Sequence, residues 1–491
     1  MNRIIVILCA ALVLLNLPAC ADNYGIKAFN KAYNKAASVA EAIDLCREYM
    51  DKTEKLADAR DVQQEWMLIS PETARQYALE KYKAEPDSKV AKYLYARTLE
   101  NPYENLRLGH ELTNDYPDWP YGYVMVTTTY LNAFDTLNRN DSLWTDIEED
   151  SLCFLNLIDL WTDIRALYRY YKYQVFTGDY NGALKTADEF IRDGGTWIYP
   201  DDYAEILARA GRYKEASEKL RDYMKSQEID GDKFVRYFHD RFVFLLYKAG
   251  AYDEILRHVQ ENAVVDSLAG YACRDMAFAF ASQNRKDSAL YYLNLAADRG
   301  YFSSRPDPDD TIFAAYQSDA QWKSYTTKCG ENKKAADDKL IQSILPASDE
   351  TLAPEIKLTD SEGHQVSLSD YRGKIVVIEF WVTWCGFSNK ALPYLSKFAA
   401  QQDADNIQVL AIESPNAARN KIRYTGIFQA NNYAMQLLFA EEDAEKEFGF
   451  EGFPTFFILD KNGHIRYRAF GFGENVTFDK INMVVKELAK E

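Results

Sequence analysis

The chain has 491 residues, of which 47% are hydrophobic and 14% aromatic, so it is long enough for several domains and apolar enough to bury their cores. This composition excludes a collagen-like, a low-complexity and a multi-span membrane protein. Asp and Glu number 75 against 57 Lys and Arg, which gives a formal net charge of −18. Because such a surface repels a phosphate backbone, the sequence indicates no nucleic-acid partner.

The amino terminus, residues 1–20, has one basic side chain, Arg3, before an apolar run from Ile4 to Leu17. A helix of that length spans about 21 Å, short of the ~30 Å hydrocarbon core. The pattern predicts a signal peptide, whose last four residues, LPAC, resemble a bacterial lipobox with Cys20 as the lipidated residue. Ordinary cleavage after Ala21 is the alternative. Both predict export to the cell envelope or periplasm, and lipidation would add a membrane anchor.

Residues 21–330 show helical spacing of apolar residues, interrupted by turns. A turn motif recurs at Gly178, Gly211 and Gly250 and more weakly at Asn284, in steps of 33, 39 and 34 residues. This period resembles that of tetratricopeptide helix pairs, so we predict an all-α solenoid in which each glycine ends a helix in a left-handed turn. Such a solenoid would bind clients or partner proteins; the alternative is a spacer whose aromatic residues form its core.

Residues 331–349 are charged and then contain Pro and Ser, which predicts a linker, with one or two helical turns as an alternative within it. From residue 350 to 491, short β-rich runs alternate with helices, which predicts a separate α/β domain. A buried strand over Ile375–Trp381 is followed by the motif WCGFS at residues 384–388 and, much later, by GFPT at residues 452–455.

These motifs resemble those of the membrane-anchored, extracytoplasmic thioredoxin-like reductases, relatives of the alkyl hydroperoxide reductase/redoxin group. The resemblance implies a thioredoxin fold, thiol-disulfide oxidoreductase activity, a role in cell redox homeostasis and no cofactor. It also implies that Cys385 is the reactive thiol, that Glu379 is a buried acid that transfers protons, and that Pro454 follows a cis peptide bond. The positions that would contact a client are Trp384, Gly386, Phe387, Phe453, Pro454 and Thr455.

Position 388 departs from the family pattern, because Ser388 stands where a second cysteine is expected. A serine hydroxyl cannot attack a mixed disulfide. Cys385, at the predicted start of a helix, can still react, because backbone N–H groups there stabilise a thiolate. We therefore expect a CxxS monothiol route that uses an external thiol reductant. For Glu379, the alternative is a carboxylate that points to a sheet edge or to water.

The remaining cysteines and the histidines offer little further chemistry. Cys46, Cys153 and Cys273 lie in apolar helical sequence and are expected to be inert core residues, whereas Cys329 lies in polar sequence and is the strongest internal candidate to resolve a mixed disulfide. The five histidines show no ligand-pair spacing, which predicts no metal site. Peroxidase chemistry is disfavoured, since the Pro and Thr that precede a peroxidatic cysteine are absent.

Two hypotheses follow from the sequence. In the first, Cys385 acts on the disulfides of client proteins or peptides, and the helical repeats bind the client. In the second, the protein is a non-catalytic binding scaffold that keeps a degenerate thioredoxin fold. Capture of clients as mixed disulfides with Cys385 would distinguish the two.

Overall fold

The computed structural model describes residues 24–134, 142–144, 147, 149–161, 163–229, 231–302, 311–344, 351–414, 421–441, 443–473 and 477–491. The predicted signal peptide and Cys20 lie outside these residues. The chain divides into two compact units: the first combines the described residues up to Tyr116 with those from Leu340 onward, and the second runs from Pro117 to Lys339.

The amino-terminal part of the first unit contains six helices between residues 24 and 116, the range that the structure describes there. Proline occupies the first position of two of them, where its missing N–H costs no hydrogen bond, and Ser38 caps α2 by accepting the Glu41 N–H at 3.1 Å. A core around the fully buried Trp66 joins the first four helices. The helices are α1 (Tyr24–Tyr33), α2 (Val39–Lys52), α3 (Leu56–Ile69), α4 (Pro71–Ala84), α5 (Lys89–Ala96) and α6 (Pro102–Asp115).

The described residues of the second unit form helices joined by turns, with an extended core from Tyr171 to Cys329 and a smaller cluster around Tyr123 and Leu157. Its helices are α7 (Pro120–Phe134), α8 (Ser151–Leu160), α9 (Ile164–Thr177), α10 (Tyr180–Arg192), α11 (Pro200–Arg209), α12 (Tyr213–Ser226), α13 (Gly231–Lys248), α14 (Tyr252–Glu261), α15 (Gly270–Ser282), α16 (Lys286–Asp298) and α17 (Ala320–Ile344). The predicted left-handed turns are confirmed: φ is +87° at Gly178, +74° at Gly211, +67° at Gly250 and +57° at Asn284, each two residues before a helix begins. Likeness to tetratricopeptide repeats stays a prediction.

The carboxy-terminal part of the first unit is a seven-stranded sheet in the order β2-β1-β5-β4-β3-β6-β7. Parallel pairs join β3 to β4 and β4 to β5, whereas β6 and β7 run antiparallel to their neighbours. The elements are β1 (Leu358–Thr359), β2 (Gln365–Val366), β3 (Ile375–Trp381), α18 (Gly386–Ala399), β4 (Ile407–Glu413), α19 (Lys421–Asn431), β5 (Gln436–Ala440), α20 (Ala444–Phe448), β6 (Thr455–Leu459), β7 (Ile465–Phe470) and α21 (Thr477–Leu488). The predicted fold class, all-α followed by α/β, is confirmed.

Strand β3 lies in the middle of the sheet, and all seven of its residues are buried. Alternation along the strand sends Val377 and Trp381 into the core that α18, α19 and α21 cover, and Ile378 into the core on the other face. Glu379 therefore lies on the face that α18 covers. The sheet edge suggested as an alternative for this residue is excluded.

The structure groups the chain differently from the division 21–330, 331–349 and 350–491 expected from the sequence. The first six helices belong to the same compact unit as the sheet. Residues 331–344, expected to form a linker, continue α17, while 345–349 lie outside the described residues. Charged residues in this stretch support the helix, since Lys333 and Asp337 form an ion pair of 2.9 Å one turn apart. None of the described helices is both long and apolar enough to cross a membrane.

Candidate functional site

Cys385 lies at the junction between β3 and α18, four residues after the strand ends. It is the N-cap residue of α18, with extended backbone angles of φ −90° and ψ 113°, and its carbonyl accepts the Asn389 N–H at 3.1 Å. The thiol is half-buried. This position places the sulfur at the amino end of a 14-residue helix, where free N–H groups and the helix dipole favour a negative charge.

The turn before β6 brings a second segment to the sulfur. The Phe453–Pro454 peptide bond is cis, as the sequence predicts. The Cys385 thiol donates to the Phe453 carbonyl oxygen, at 3.3 Å from Sγ. The turn is held by two further hydrogen bonds, from Thr455 Oγ1 to the Gly452 carbonyl at 2.7 Å and from the Gly471 N–H to the Pro454 carbonyl at 2.9 Å. A carbonyl acceptor is thus fixed beside the reactive atom.

Glu379 is fully buried behind this surface, and neither carboxyl oxygen has a hydrogen-bond partner among the described residues. Burial raises the pKa of the Glu379 carboxyl well above its usual range, and the nearby charge of Cys385 raises it further. Burial therefore favours the protonated, neutral form of the Glu379 carboxyl, which carries a proton that it can donate.

Ser388 is also fully buried, on the first turn of α18, and its hydroxyl has no hydrogen-bond partner among the described residues. It lies beneath the surface, so a client does not reach it directly. Gly386 differs, because a Cβ placed there meets no atom within 4 Å. The backbone above this first turn is open to a bound molecule.

Exposed aromatic side chains lie on the segments that carry the sulfur and the cis-proline turn. Trp384 and Phe387 expose 70% and 60% of their surface, and the Trp384 ring lies edge-on to that of Phe453 at 5.9 Å between centroids. Sequence reasoning missed Phe470, which is 70% exposed and pairs with Thr455 across β6 and β7. No local motif marks Phe470; only the strand register brings it next to the cis-proline turn.

The other described cysteines are unsuited to exchange. Burial raises the pKa of the Cys46 and Cys153 thiols to about 12 and also raises that of Cys273 and Cys329. Cys329 was the strongest internal candidate to resolve a mixed disulfide, but it is fully buried inside α17. Polar neighbours in sequence misled the prediction, because in a helix they occupy the other faces. No group of three or more potential metal ligands occurs within the described residues.

Comparisons with known proteins concern the carboxy-terminal region. Residues 350–468 match the model of the AhpC/TSA family. Thiol-disulfide oxidoreductase ResA of Geobacillus kaustophilus is 30% identical over 115 residues, which are 23% of this chain and 64% of ResA. Thioredoxin-like protein YneN of Bacillus subtilis is 26% identical over 114 residues, which are 23% of this chain and 66% of YneN. The chain thus spans slightly less than two thirds of these relatives.

Solved structures match over a similar region. A putative thiol:disulfide interchange protein DsbE from Chlorobium tepidum is 26% identical and aligns over 28% of this chain and 96% of its own, with a TM-score of 0.25. The exposed lipoprotein thioredoxin Etrx1 from Streptococcus pneumoniae is also 26% identical and aligns over 27% of this chain and 99% of its own, with a TM-score of 0.25. The sheet order, the cis-proline turn and the family match together establish that residues 350–468 form a thioredoxin-like domain similar to the AhpC/TSA family.

Proposed function

We propose that this protein exchanges disulfides of client proteins through Cys385 by a monothiol mechanism. The observation that carries the proposal is the pairing of Cys385 Sγ with the Phe453 carbonyl, at 3.3 Å, at the start of α18 and beside the cis Phe453–Pro454 bond. A serine at position 388, buried three residues further on, removes the internal resolving thiol. The name of the relative ResA, a thiol-disulfide oxidoreductase, supports disulfide exchange.

The proposed reaction starts with attack of the Cys385 thiolate on one sulfur of a client disulfide. A new S–S bond forms between Cys385 and the client, the old S–S bond breaks, and the second client sulfur leaves as a thiolate. An external thiolate then attacks the Cys385 sulfur and releases the reduced client. A second external thiolate frees Cys385, and the two external thiols end as their disulfide. If a client thiolate attacks instead, the client disulfide is rearranged without net reduction.

In this proposal Glu379 supplies the proton that the leaving client thiolate needs. Burial favours the neutral form of its carboxyl, the residue lies on the sheet face that α18 covers, and the charge of Cys385 raises its pKa further. No described side chain competes for its oxygens. A positioned acid of this kind typically contributes about 10²–10⁴-fold in rate.

Client binding is proposed for the aromatic residues around the sulfur. The rings of Trp384, Phe387 and Phe470 are exposed, and the turn beside them carries the Phe453 carbonyl, which suits an extended apolar segment that carries the disulfide. The helices of the second unit would add a further surface for client or partner proteins. The support for client binding is that these aromatic rings are exposed and apolar.

We also propose that the protein works in the cell envelope, attached to the membrane through Cys20. The support is the leader pattern of residues 1–20, because two or more acyl chains give stable anchoring. Labelling with a radioactive fatty acid tests this. Label in the wild type that is lost in Cys20→Ala supports the anchor, whereas equal labelling contradicts it.

The exchange reaction is tested by insulin reduction with glutathione as the external thiol. We expect Cys385→Ala to lose the activity and Cys153→Ala to keep it. Cys153 is a matched control, because it is the other half-buried cysteine among the described residues. Equal activity of wild type and Cys385→Ala would contradict the proposal. Acid quenching of cells should also trap clients on Cys385 as mixed disulfides.

The scaffold function is the second candidate, and the combination of Ser388 with exposed Trp384 and Phe387 favours it. It predicts that binding of envelope proteins survives Cys385→Ala and that no mixed disulfides are trapped. Binding that disappears with Cys385 would exclude a purely non-catalytic scaffold.

A further inference from the structure

Helix α19 has two packed faces with different neighbours. It lies against the sheet on one side and against α2 and α3 on the other, and all of these elements belong to the first unit. The helices α2 and α3 are more than 350 residues earlier in the chain than α19, so no local sequence signal joins them. Contacts on the outer face of α19 can affect the site only through the residues that α19 contacts on its inner face.

The outer face of α19 meets α3 through an ion pair and a close backbone approach. Arg423 Nη2 contacts Glu65 Oε1, and the two side chains expose only 24% and 21% of their surface. One turn along α19, a Cβ added to Gly426 would lie 2.4 Å from Cβ of Ile69. Only glycine therefore fits at position 426 while α3 stays in place. Ile422 adds to the core of the amino-terminal helices.

The inner face of α19 reaches the turn that carries the reactive cysteine. Tyr424 is 2% exposed, its ring packs edge-on to Trp381 at 4.9 Å, and its hydroxyl oxygen accepts the Thr383 N–H at 3.4 Å. Thr383 also uses its carbonyl, which accepts from Asn389 Nδ2 on α18 at 2.8 Å. The residue two positions before Cys385 is thus held between α19 and α18.

We infer that α3 positions the turn at residues 382–385 by holding α19 against β3, with Arg423 and Tyr424 as positioning residues. The chain of contacts runs from Glu65 to Arg423, through the α19 backbone to the adjacent Tyr424, and from the Tyr424 hydroxyl to Thr383. The amino-terminal helices are in this sense part of the redox domain. The inference rests on the proposed function in treating Cys385 as the reacting group.

The test measures the rate at which iodoacetamide alkylates Cys385 in the full-length chain, with Cys385→Ala as the blank. We expect Arg423→Ala and Glu65→Gln to lower this rate about fivefold, the scale of coupling through a packed element. The exchanged pair, Glu65→Arg with Arg423→Glu, should restore most of the rate. If each residue acted only locally, exchanging the two charges would not restore the alkylation rate.

The matched control is Glu205→Gln, which breaks the Arg209–Glu205 ion pair of the second unit. Both side chains of that pair are 23% exposed, close to the values for Arg423 and Glu65. We expect this variant to alkylate at the wild-type rate. A fall equal to that of Glu65→Gln would overturn the inference, because it would reflect a general loss of stability.

If Arg423→Ala fails to fold, Tyr424→Phe replaces it in the alkylation experiment. This variant keeps the ring and removes only the acceptor for the Thr383 N–H. A lower alkylation rate supports the inference, and an unchanged rate overturns it. Failure of the proposed function would show separately, as a wild-type protein that does not reduce insulin. The alkylation experiment uses no client and is judged independently of that outcome.

Discussion

The sheet of the first unit and the helices of the second each enclose an ionisable group, Glu379 in β3 and His258 in α14. Burial raises the pKa of Glu379 well above its usual range and lowers that of His258 to about 4, so burial favours the neutral form of both side chains. The groups differ in their partners. His258 Nε2 lies 2.9 Å from Nδ1 of His239, whereas the Glu379 oxygens have no partner among the described residues. Burial sets the charge of both, but only Glu379 keeps its proton free for another use.

Glu379→Gln should have the largest effect on activity, because it keeps the size of the side chain and removes the transferable proton. We expect insulin reduction to fall about 10²-fold, the usual contribution of a positioned acid. Asp240→Asn is the control, since burial also raises the pKa of Asp240 but that residue lies in the second unit. Equal loss in both variants would show that Glu379 has no special role.

Acid should destabilise the second unit through His258. Burial holds its pKa at about 4, with smaller contributions from His239 and Arg221, against 6.5 in the unfolded chain. The contribution of neutral His258 to the free energy of unfolding is therefore fully present above pH 6.5. It is lost as the pH falls to 4, which lowers the free energy of unfolding by about 3 kcal/mol. Denaturant unfolding at pH 4.5 and 7 measures this. His258→Leu should remove that pH dependence, and His364→Leu, at an exposed histidine, should not.

Glu379→Leu should stabilise the protein while it abolishes the proton transfer. Replacing a buried polar group that lacks partners by an apolar one gains about 2 kcal/mol at pH 7. Glu379 favours the folded state fully below its unfolded pKa of 4.5, and this contribution is lost as pH rises. The gain from leucine should therefore grow from pH 5 to pH 8 in chemical denaturation. A variant less stable than wild type would mean that the carboxyl has a partner.

Ser388→Cys should change the free energy of unfolding least, but it should clearly change the lifetime of mixed disulfides. Replacing a buried hydroxyl without a partner by a thiol should gain about 1 kcal/mol. The new thiol lies three residues from Cys385 and should resolve mixed disulfides, so their lifetime falls and the dependence on glutathione decreases. Ser388→Ala is the control, with a similar gain in stability and an unchanged lifetime. An unaltered lifetime in Ser388→Cys would show that position 388 cannot approach Cys385.

The core of the site could be predicted because its signals are local. Cys385 follows a buried apolar strand and begins a helix, Glu379 interrupts that strand, and Pro454 precedes a second apolar run. Each signal lies within a few residues of the group that it identifies. The left-handed turns of the second unit, such as that at Gly211, were predictable for the same reason.

The remaining features depend on which elements meet. Phe470 reaches the site through the pairing of β6 with β7, and Glu65 reaches α19 through tertiary packing alone. Residues 331–344 were expected to form a linker with at most one or two helical turns, whereas the structure continues α17 through them, where Lys333 and Asp337 form an ion pair one turn apart. Cys329 was misjudged because its polar neighbours in sequence say nothing about the one face of α17 that is buried.

The hydrogen bond from the Cys385 thiol to the Phe453 carbonyl couples two events. While Cys385 is protonated, its S–H donates a hydrogen bond to the Phe453 carbonyl oxygen. Once the thiol ionises it can no longer donate, and two electron-rich atoms face each other about 3 Å apart. A backbone N–H of an incoming peptide can then take the vacated carbonyl and relieve the repulsion. The cysteine thus gains its nucleophilic form and its docking acceptor in the same step, so an ionised Cys385 is also one that is ready to receive a client.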